Sequence, residues 1–258
     1  MQTPGLTPAQ QARLDIREGR HRSLTRGLAM GYVQCNLVIL RKVHAFDFLL
    51  YCQRNQRACP VLEVTDPGNP EPRLTAPGAD LRTDLPRYAV YRDGRRLPDE
   101  TNILHLWESD LVSFLIGSGI SFDQALERAG VPTDKHRWVL RTNLPTVPAG
   151  RFHGDLIVTM RWLTPQQAII ATQVTSKFPL NHGAPIHIGN PDAIGANLKH
   201  PLLGPPISKV PKEFVPVFWA CGVTPQSAAE AAEIDLMIAH APGHGFITDW
   251  EADRLCLA

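Results

Sequence analysis

Four of the ten histidines lie in two loops rich in glycine and proline, and they are the residues best suited to acid–base chemistry. These histidines are His182 and His187 in NHGAPIHIGNP, and His240 and His244 in HAPGHGFITDW. Imidazole titrates near neutral pH, so each of them could give or accept a proton. Asp249 follows the second loop and could orient one of the rings. The alternative is that the histidines only stabilise their loops through hydrogen bonds.

His240 and His244 also have the four-residue spacing of a zinc-binding helix. Residues four apart share one face of a helix, where two imidazoles can bind the same metal ion. Pro242 and Gly243 lie between the two histidines and interrupt a helix. The spacing therefore favours a loop, and we expect no tightly bound metal.

A turn between a strand and a helix is a second candidate for chemistry. In VPVFWACGVTPQ an apolar run ends at Ala220, and Thr224 followed by Pro225 is typical of a capped helix start. The amide groups from Thr224 to Gln226 could then bind a carboxylate or a developing oxyanion. The same helix terminus would lower the pKa of the Cys221 thiol and make it more reactive. The alternative is that Cys221 is a small buried filler.

Two similar loops carry cationic groups. DLRTDLPRY supplies Arg82 and Arg87, and VLRTNLPT supplies Arg141 with Asn143. Arginine binds carboxylates through two parallel hydrogen bonds, so the loops suit a substrate with one or two carboxylates. The alternative for each arginine is a surface salt bridge, which contributes little to stability.

The elements that must position these residues alternate between strand and helix. YVQCNLVIL predicts a strand, HAFDFLLYCQRN a helix with Phe46, Leu49 and Leu50 on one face, and VLEVT a second strand. This order favours an α/β crossover unit with a mixed or parallel sheet. Further strands are predicted at YAVYRDG with an Asp93-Gly94 turn, at DLIVTMRWL and at Val215–Ala220. Further helices are predicted after Thr7-Pro8, at Trp107–Gly117, SFDQALERAG and TPQQAIIATQVTSKF, and at Thr224–Ala241.

Length and composition are those of a globular protein with a large core. The 258 residues are 43% hydrophobic and 20% charged, and the net charge of +1 gives no sign of a nucleic-acid partner. No apolar stretch approaches the roughly 18 residues of a membrane span. The N-terminal residues resemble neither a signal nor a transit peptide. Five scattered cysteines without zinc-type spacing favour free thiols in a reducing cytoplasm.

No dinucleotide-binding, phosphate-loop, nucleophile-elbow or paired-cysteine motif is found, so no cofactor is expected. The expected partner is a small carboxylic or amino acid. The sequence leaves a homo-oligomer open.

Eight stretches of the chain are similar, in order, to a known family. They are GYVQCNLVIL, FDFLLYCQRN, RTDLPRYAVYRDG, FLIGSGISFDQAL, RTNLPTVPAGRFHG, HGAPIHIGNP, VPVFWACGVTPQ and HAPGHGFITD. Over about residues 10–250 the chain resembles the hydro-lyase family that includes the D-glutamate cyclase of mitochondria. The resemblance implies an α/β fold with a larger three-layer part, helices on both faces of a mixed sheet, and a smaller inserted α+β part. We place the larger part at residues 1–112 and 191–258 and the inserted part at 113–190.

Two positions depart from the pattern of that family. Ser118 stands in IGSGISF where the family often has a cysteine, which puts a cysteine nucleophile at this position in doubt. Gly245 follows His244 where the family tends to have a methionine, so the histidine itself is kept.

The resemblance implies an enzyme that removes water from a small amino or carboxylic acid, with closure of D-glutamate to 5-oxo-D-proline as the leading hypothesis. Such a closure needs a base for the ammonium group, an acid for the departing hydroxide and donors for the oxyanion. We assign the proton transfers to the loop histidines, with His244 first, then His187 and His182. The alternatives are metal-assisted dehydration of a hydroxy acid, and a non-catalytic carboxylate-binding protein, which would not need the histidines.

Overall fold

A computed structural model describes residues 5–133, 137–209 and 211–257. These residues form five α-helices: α1 (Pro8–Arg17), α2 (Lys42–Arg54), α3 (Asp123–Arg128), α4 (Pro165–Ser176) and α5 (Thr224–Ala232). They also form eleven strands: β1 (Tyr32–Arg41), β2 (Val61–Val64), β3 (Tyr88–Arg92), β4 (Arg95–Arg96), β5 (Leu111–Gly117), β6 (Trp138–Pro145), β7 (Asp155–Leu163), β8 (His187–Ile188), β9 (Val215–Ala220), β10 (Met237–His240) and β11 (Phe246–Glu251). Within these three ranges, no helix combines the length and the apolar character that crossing a membrane requires.

The strands make two sheets. The larger has the order β2-β5-β1-β10-β3-β4, with β11 also paired to β1, and the smaller has the order β6-β7-β9-β8. The α/β class is confirmed. Each strand pair between described residues is antiparallel, which differs from the mixed or parallel sheet expected from the sequence. β1 and β2 do run in the same direction, but β5 lies between them and is antiparallel to both.

Both faces of the larger sheet are buried. Val38 and Leu40 of β1 pack with residues of α2 and α5 on one face. Leu37 and Ile39 belong to the core on the other face, which includes side chains from the irregular segment between β2 and β3. A strand buried on both faces reads as a continuous apolar run rather than an alternating one. This explains why the predicted helix at Trp107–Gly117 is wrong: β5 is a fully buried strand in this region.

Two other helix predictions need correction. Phe46 and Leu49 do not share the buried face of α2, since they are 74% and 42% exposed, and Phe48 and Tyr51 pack into the core instead. The helix predicted at Thr224–Ala241 ends at Ala232, because Glu233 adopts a left-handed conformation and the chain returns as strand β10. Thr224 is the first helical residue rather than its cap.

Other predictions that rest on a few neighbouring residues agree with the structure. Thr7 caps α1 in a capping box with Gln10, and Thr164 caps α4 in the same way with Gln167. Asp93 and Gly94 both have positive φ angles in the hairpin between β3 and β4, as the Asp-Gly turn predicts. The buried strand at Val215–Ala220 lies between β7 and β8, and α5 follows it directly, so this prediction is confirmed.

The three-layer arrangement and the boundaries at residues 112 and 190 stay predictions. The strands of the smaller sheet come from residues 138–220. β5 starts before residue 113 and belongs to the larger sheet.

The junction between β5 and the loop at residues 180–182 requires a glycine. A methyl group on Gly117 would overlap the backbone carbonyl of Leu180. We expect Gly117→Ala to lower the free energy of unfolding by about 3 kcal/mol, because two backbone segments would have to separate. The measurement is denaturant unfolding.

Gly130→Ala is the matched control for this substitution. Gly130 has a φ of +79° and no atom within 4 Å of an added methyl group, so only backbone strain opposes the change. That strain costs about 1 kcal/mol. Equal losses for the two variants would contradict the close approach at Gly117.

Candidate functional site

A cavity of about 330 Å³ opens where the two sheets meet. Asn36 of β1 and His240 of β10 reach it from the larger sheet. Thr159 and Arg161 of β7, with Trp219 of β9, reach it from the smaller sheet. The loop after β5, the turn after β9 and the loop after β10 also contribute to the lining. The site is therefore built by the ends of strands from both sheets.

The lining is strongly cationic. Arg26, Arg137 and Arg161 all line the cavity, and they are here called the cationic wall. Among the described residues, no aspartate or glutamate lines the same cavity. A small concave site lined by one sign of charge attracts ligands of the opposite sign. The cavity therefore favours an anion.

One carboxylate holds the cationic wall from behind. Oδ1 of Asp123 accepts a hydrogen bond from Nη2 of Arg161 at 2.9 Å. Oδ2 of Asp123 pairs with Nη2 of Arg137, and it lies 3.6 Å from Nε of Arg26. The Asp123 side chain is only 9% exposed. Three guanidinium groups thus face one carboxylate, and two positive charges of this cluster remain uncompensated.

Aromatic rings cover the deepest arginine. The guanidinium carbon of Arg161 lies 5.4 Å from the centroid of Trp219 and 5.6 Å from that of Phe122. Such contacts stabilise a desolvated cation. Nε and Nη1 of Arg161 and Nε of Arg137 are buried without a hydrogen-bond partner among the described residues. Burial and the nearby Arg161 charge lower the pKa of Arg137 to about 9, so Arg137 remains charged at neutral pH.

His182 presents one unprotonated ring nitrogen. Its Nδ1 lies 2.9 Å from the carbonyl oxygen of Arg57, and a carbonyl only accepts, so Nδ1 carries the proton. Nε2 is then the basic nitrogen, and His182 lines the cavity. Burial lowers the pKa of His182 to about 4, which keeps the ring neutral near pH 7. The residue has a φ of 78°, a conformation uncommon for residues other than glycine.

His240 has the opposite tautomer. Its Nδ1 lies 3.2 Å from the amide nitrogen of Leu37 and 3.4 Å from the carbonyl oxygen of the same residue. The shorter contact is with the amide, which only donates, so Nδ1 accepts and Nε2 carries the proton. Burial lowers the pKa of His240 to about 4 as well. One cavity therefore holds two neutral imidazoles, one suited to accept a proton and the other to donate one.

The turn after β9 fits tightly against β1. A methyl group on Gly222 would overlap the side-chain amide of Asn36, and that amide donates to the carbonyl oxygen of Gly117 at 2.9 Å. Ser118, next in the chain, lines the cavity, and its hydroxyl accepts from the amide of Ile120 at 3.4 Å. Strand ends of the two sheets are thereby held together at the cavity.

The turn after β9 lacks two features that the sequence predicts for it, a reactive thiol and free backbone amides. Cys221 lines the cavity, but burial raises the pKa of its thiol, opposite to the lowering expected from the helix terminus. The amide of Thr224 donates to the carbonyl of Cys221, and that of Gln226 donates to the carbonyl of Val223. These amides are therefore engaged inside the turn. The Gln226 side chain donates to the backbone carbonyl of His240 at 3.0 Å.

His187 and His244 are not part of the cavity lining among the described residues. Nε2 of His187 contacts the carbonyl of Asn190 at 2.8 Å, on strand β8. His244 is half-buried, with Nδ1 2.9 Å from the carbonyl of Pro242, and burial lowers its pKa. Asp249 accepts a hydrogen bond from Arg13 at 2.8 Å, so the side chain that it contacts is an arginine rather than a histidine.

The arginines singled out by the sequence also lie outside the described lining. Arg82 forms a two-pronged pair with Asp80, at 2.9 and 2.8 Å. Arg87 is exposed, and Arg141 donates to the Ser227 hydroxyl at 2.9 Å. Asn143, two residues after Arg141, is exposed on β6. The structure brings together His182, His240 and Cys221 of the predicted residues, and it adds the cationic wall.

Sequence reasoning missed the cationic wall because its members are far apart in the chain. One signal was available. Arg161 interrupts the apolar strand DLIVTMRWL at a buried position, where charged residues are rare unless paired. Asp123, its partner, comes from a helix with no sequence link to that strand.

Across the three described ranges, no group of three or more histidine, cysteine, aspartate or glutamate side chains is placed to hold a metal ion. The expected absence of a tightly bound metal stays a prediction.

Comparison with known proteins shows clear relatives. The model of the D-glutamate cyclase family matches residues 112–249. A Bacillus licheniformis protein named "Putative hydro-lyase" is 51% identical over 245 residues, covering 93% of each chain. Relatives that are also named as hydro-lyases, from Geobacillus kaustophilus and Bacillus subtilis, are 48% and 49% identical. They cover 96% and 94% of this chain and 96% of each of theirs. The solved structure of a nitrogen repressor-like protein from Methanococcus jannaschii is 13% identical and covers 89% of this chain and 90% of that one. Its TM-score of 0.39 is too low to support an inference.

The fold and the site define an α/β protein with a cationic cavity at the junction of two antiparallel sheets. The chain belongs to the D-glutamate cyclase family, whose curated relatives carry hydro-lyase names. The family expected from the sequence is confirmed.

The two neutral histidines predict a pH dependence of stability. In the unfolded chain they titrate near the ordinary value of 6.5, whereas in the folded protein their pKa is about 4. Between these values the unfolded state binds more protons, so stability falls as the pH is lowered from 6.5 towards 4. Each histidine contributes roughly 3 kcal/mol to this loss.

Thermal unfolding between pH 4 and pH 7 measures this effect. We expect His182→Asn and His240→Asn each to flatten the profile. His105→Asn is the control, because the His105 side chain is 57% exposed. Profiles as steep as that of the wild type in both buried variants would show that other groups cause the loss.

Proposed function

We propose that this protein is a hydro-lyase that closes D-glutamate to 5-oxo-D-proline with loss of one water molecule. The observation that carries the proposal is the cavity itself. It combines the cationic wall with two neutral imidazoles of opposite tautomer and, in the described part of the chain, lacks a carboxylate. Membership of the D-glutamate cyclase family supports the same reaction.

The positive charge of the cavity suits the two carboxylates of the substrate. D-glutamate has two carboxylates, and the cluster around Asp123 has two uncompensated positive charges. Guanidinium groups bind carboxylates with two-pronged geometry. Because Arg137 and Arg161 are largely buried, their charges are weakly screened and attract the carboxylates strongly. The cavity volume suits a five-carbon amino acid.

The histidines supply the proton transfers. Nε2 of His182 is unprotonated and accepts a proton from the substrate ammonium group, which frees the amine as a nucleophile. The amine nitrogen attacks the side-chain carboxyl carbon, and a carbon–nitrogen bond forms. Nε2 of His240 donates its proton to the departing oxygen. The attacking nitrogen gives its second proton to the same Nε2 of His240, and protonated His182 returns the first proton to the departing oxygen. That oxygen then carries two protons, so the carbon–oxygen bond breaks, water leaves, and the lactam remains with both histidines in their starting forms.

The attack concentrates negative charge on the carboxyl oxygens. In our proposal the guanidinium groups of Arg137 and Arg161 stabilise this charge, replacing the helix amides expected from the sequence, which are engaged within their own turn. Fixed donors in a water-poor site contribute strongly to such stabilisation, since they need no reorganisation during the reaction.

Incubation of the purified protein with D-glutamate tests the proposal directly. We expect mass spectrometry to show a product lighter by one water, with the retention time of 5-oxo-D-proline. L-Glutamate is the parallel substrate, and its conversion at the same rate would contradict the D-specific form of the proposal. Failure to convert either one, by protein that is folded, would contradict the reaction.

Three asparagine substitutions separate catalytic from structural histidines. Asparagine can replace the Nδ1 contact of His182 with the Arg57 carbonyl and tolerates a positive φ, but it cannot accept the proton. We expect His182→Asn and His240→Asn to lower kcat by about 10²–10⁴-fold with KM changed much less. The measurement is steady-state turnover of D-glutamate per folded molecule.

His244→Asn is the comparison variant, because His244 lies outside the described lining and also contacts a backbone carbonyl through Nδ1. We expect its turnover to stay close to that of the wild type. A large loss of turnover in His244→Asn, with normal turnover in His182→Asn, would show that the general base is His244, the residue favoured by the sequence.

A further inference from the structure

We infer that Asp123 is the positioning residue of the site, and that it holds Arg137 and Arg161 in the geometry in which they bind a dicarboxylate. This inference rests on the proposed function for the identity of the ligand. Asp123 does not line the cavity itself, so it acts through the arginines rather than on the substrate.

The contacts of Asp123 are divided between its two oxygens. Oδ1 accepts from Arg161, and Oδ2 pairs with Arg137 and lies 3.6 Å from Arg26. Each buried guanidinium is therefore fixed by a different oxygen of one carboxylate. Asp123 is the first residue of α3, where the backbone dipole favours a negative charge.

Among the described residues, Asp123 is the carboxylate that pairs with all three arginines of the cationic wall. Its removal would leave these arginines without a negatively charged partner in the described part of the chain. Three guanidinium groups from a loop, a strand and the segment before β6 would then repel each other inside a protein environment. Their lowest-energy arrangement would separate the charges or turn them towards water. The substrate would lose the paired donors even though the positive charge had increased.

That conflict between charge and geometry provides a sharp test. Asp123→Asn keeps the size of the side chain but raises the net positive charge of the cluster by one. Simple attraction predicts tighter binding of an anion by this variant, whereas positioning predicts weaker binding. The probe is glutarate, a dicarboxylate with the carbon chain of glutamate and no amine, so that no reaction takes place. Its Kd is measured by calorimetry.

We expect Asp123→Asn to bind glutarate about tenfold more weakly than the wild type, with KM for D-glutamate raised in parallel. Asp253→Asn is the control, because it removes an exposed carboxylate that pairs with Arg128 and should leave binding unchanged. Equal or tighter glutarate binding by Asp123→Asn would overturn the inference.

A second pair of variants tests the same point with one guanidinium group removed, which relieves the charge repulsion that opposes folding of Asp123→Asn. Arg26 is the most exposed member of the cationic wall. The double variant Asp123→Asn with Arg26→Gln has the net cluster charge of the wild type, and Arg26→Gln alone has one positive charge fewer. Positioning predicts that the double variant binds glutarate more weakly than Arg26→Gln. Tighter binding by the double variant would show that only charge matters.

The two proposals fail in different ways. If the wild type binds glutarate but does not convert D-glutamate, the proposed reaction is wrong and the comparison of variants still decides the role of Asp123. If the wild type does not bind glutarate, the cationic wall is not a dicarboxylate site and the inference is overturned with it.

Discussion

The packing of three guanidinium groups around a single carboxylate, two of them largely buried, is the constraint on which the site depends. Moving a charge out of water is costly unless partners replace the lost hydration. Asp123 supplies the counter-charge, and the rings of Phe122 and Trp219 cover Arg161. The compensation is incomplete, since some guanidinium nitrogens have no partner among the described residues. An anion in the adjoining cavity would stabilise a cluster that remains short of negative charge.

Backbone groups that contact Nδ1 set the tautomers of the two histidines. The amide of Leu37 in β1 donates to Nδ1 of His240, while the carbonyl of Arg57 accepts from Nδ1 of His182. One ring is therefore a donor at Nε2 and the other an acceptor, without any carboxylate to orient them. Arg57 also donates from its Nε to the carbonyl of His182, which supports the left-handed backbone at that residue. Such strained residues cluster where the surrounding structure specifies a functional geometry.

Close contacts at two glycines bring these groups within one small cavity. Gly117 lies against the backbone carbonyl of Leu180, and Gly222 lies against the side-chain amide of Asn36, so the absence of a side chain at each glycine allows the segments to approach. The cationic wall reaches the same place from a loop, from β7 and from the segment before β6. The cavity is a product of how the two sheets meet, and each sheet alone would present only part of it.

The sequence by itself determined the elements whose signals are local. Threonine caps with following prolines located α1 and α4, the apolar run before Thr224 located β9 and the start of α5, and the order of its stretches identified the family. Helix capping and turn formation depend on neighbours within a few residues, which the sequence displays directly. The sequence also pointed to His182 and His240 as candidates, but it could not separate them from His187 and His244.

Only the tertiary structure decided which residues meet. Arg26, Asp123, Arg137 and Arg161 are neighbours although the chain separates them widely. β5 is a strand because it is buried on both faces between β1 and β2, a property that its own residues do not distinguish from a buried helix. The pKa values of the histidines follow from burial and from backbone partners distant in sequence. Charge pairing, burial and tautomer all depend on long-range contacts, and those contacts exist only in the folded chain.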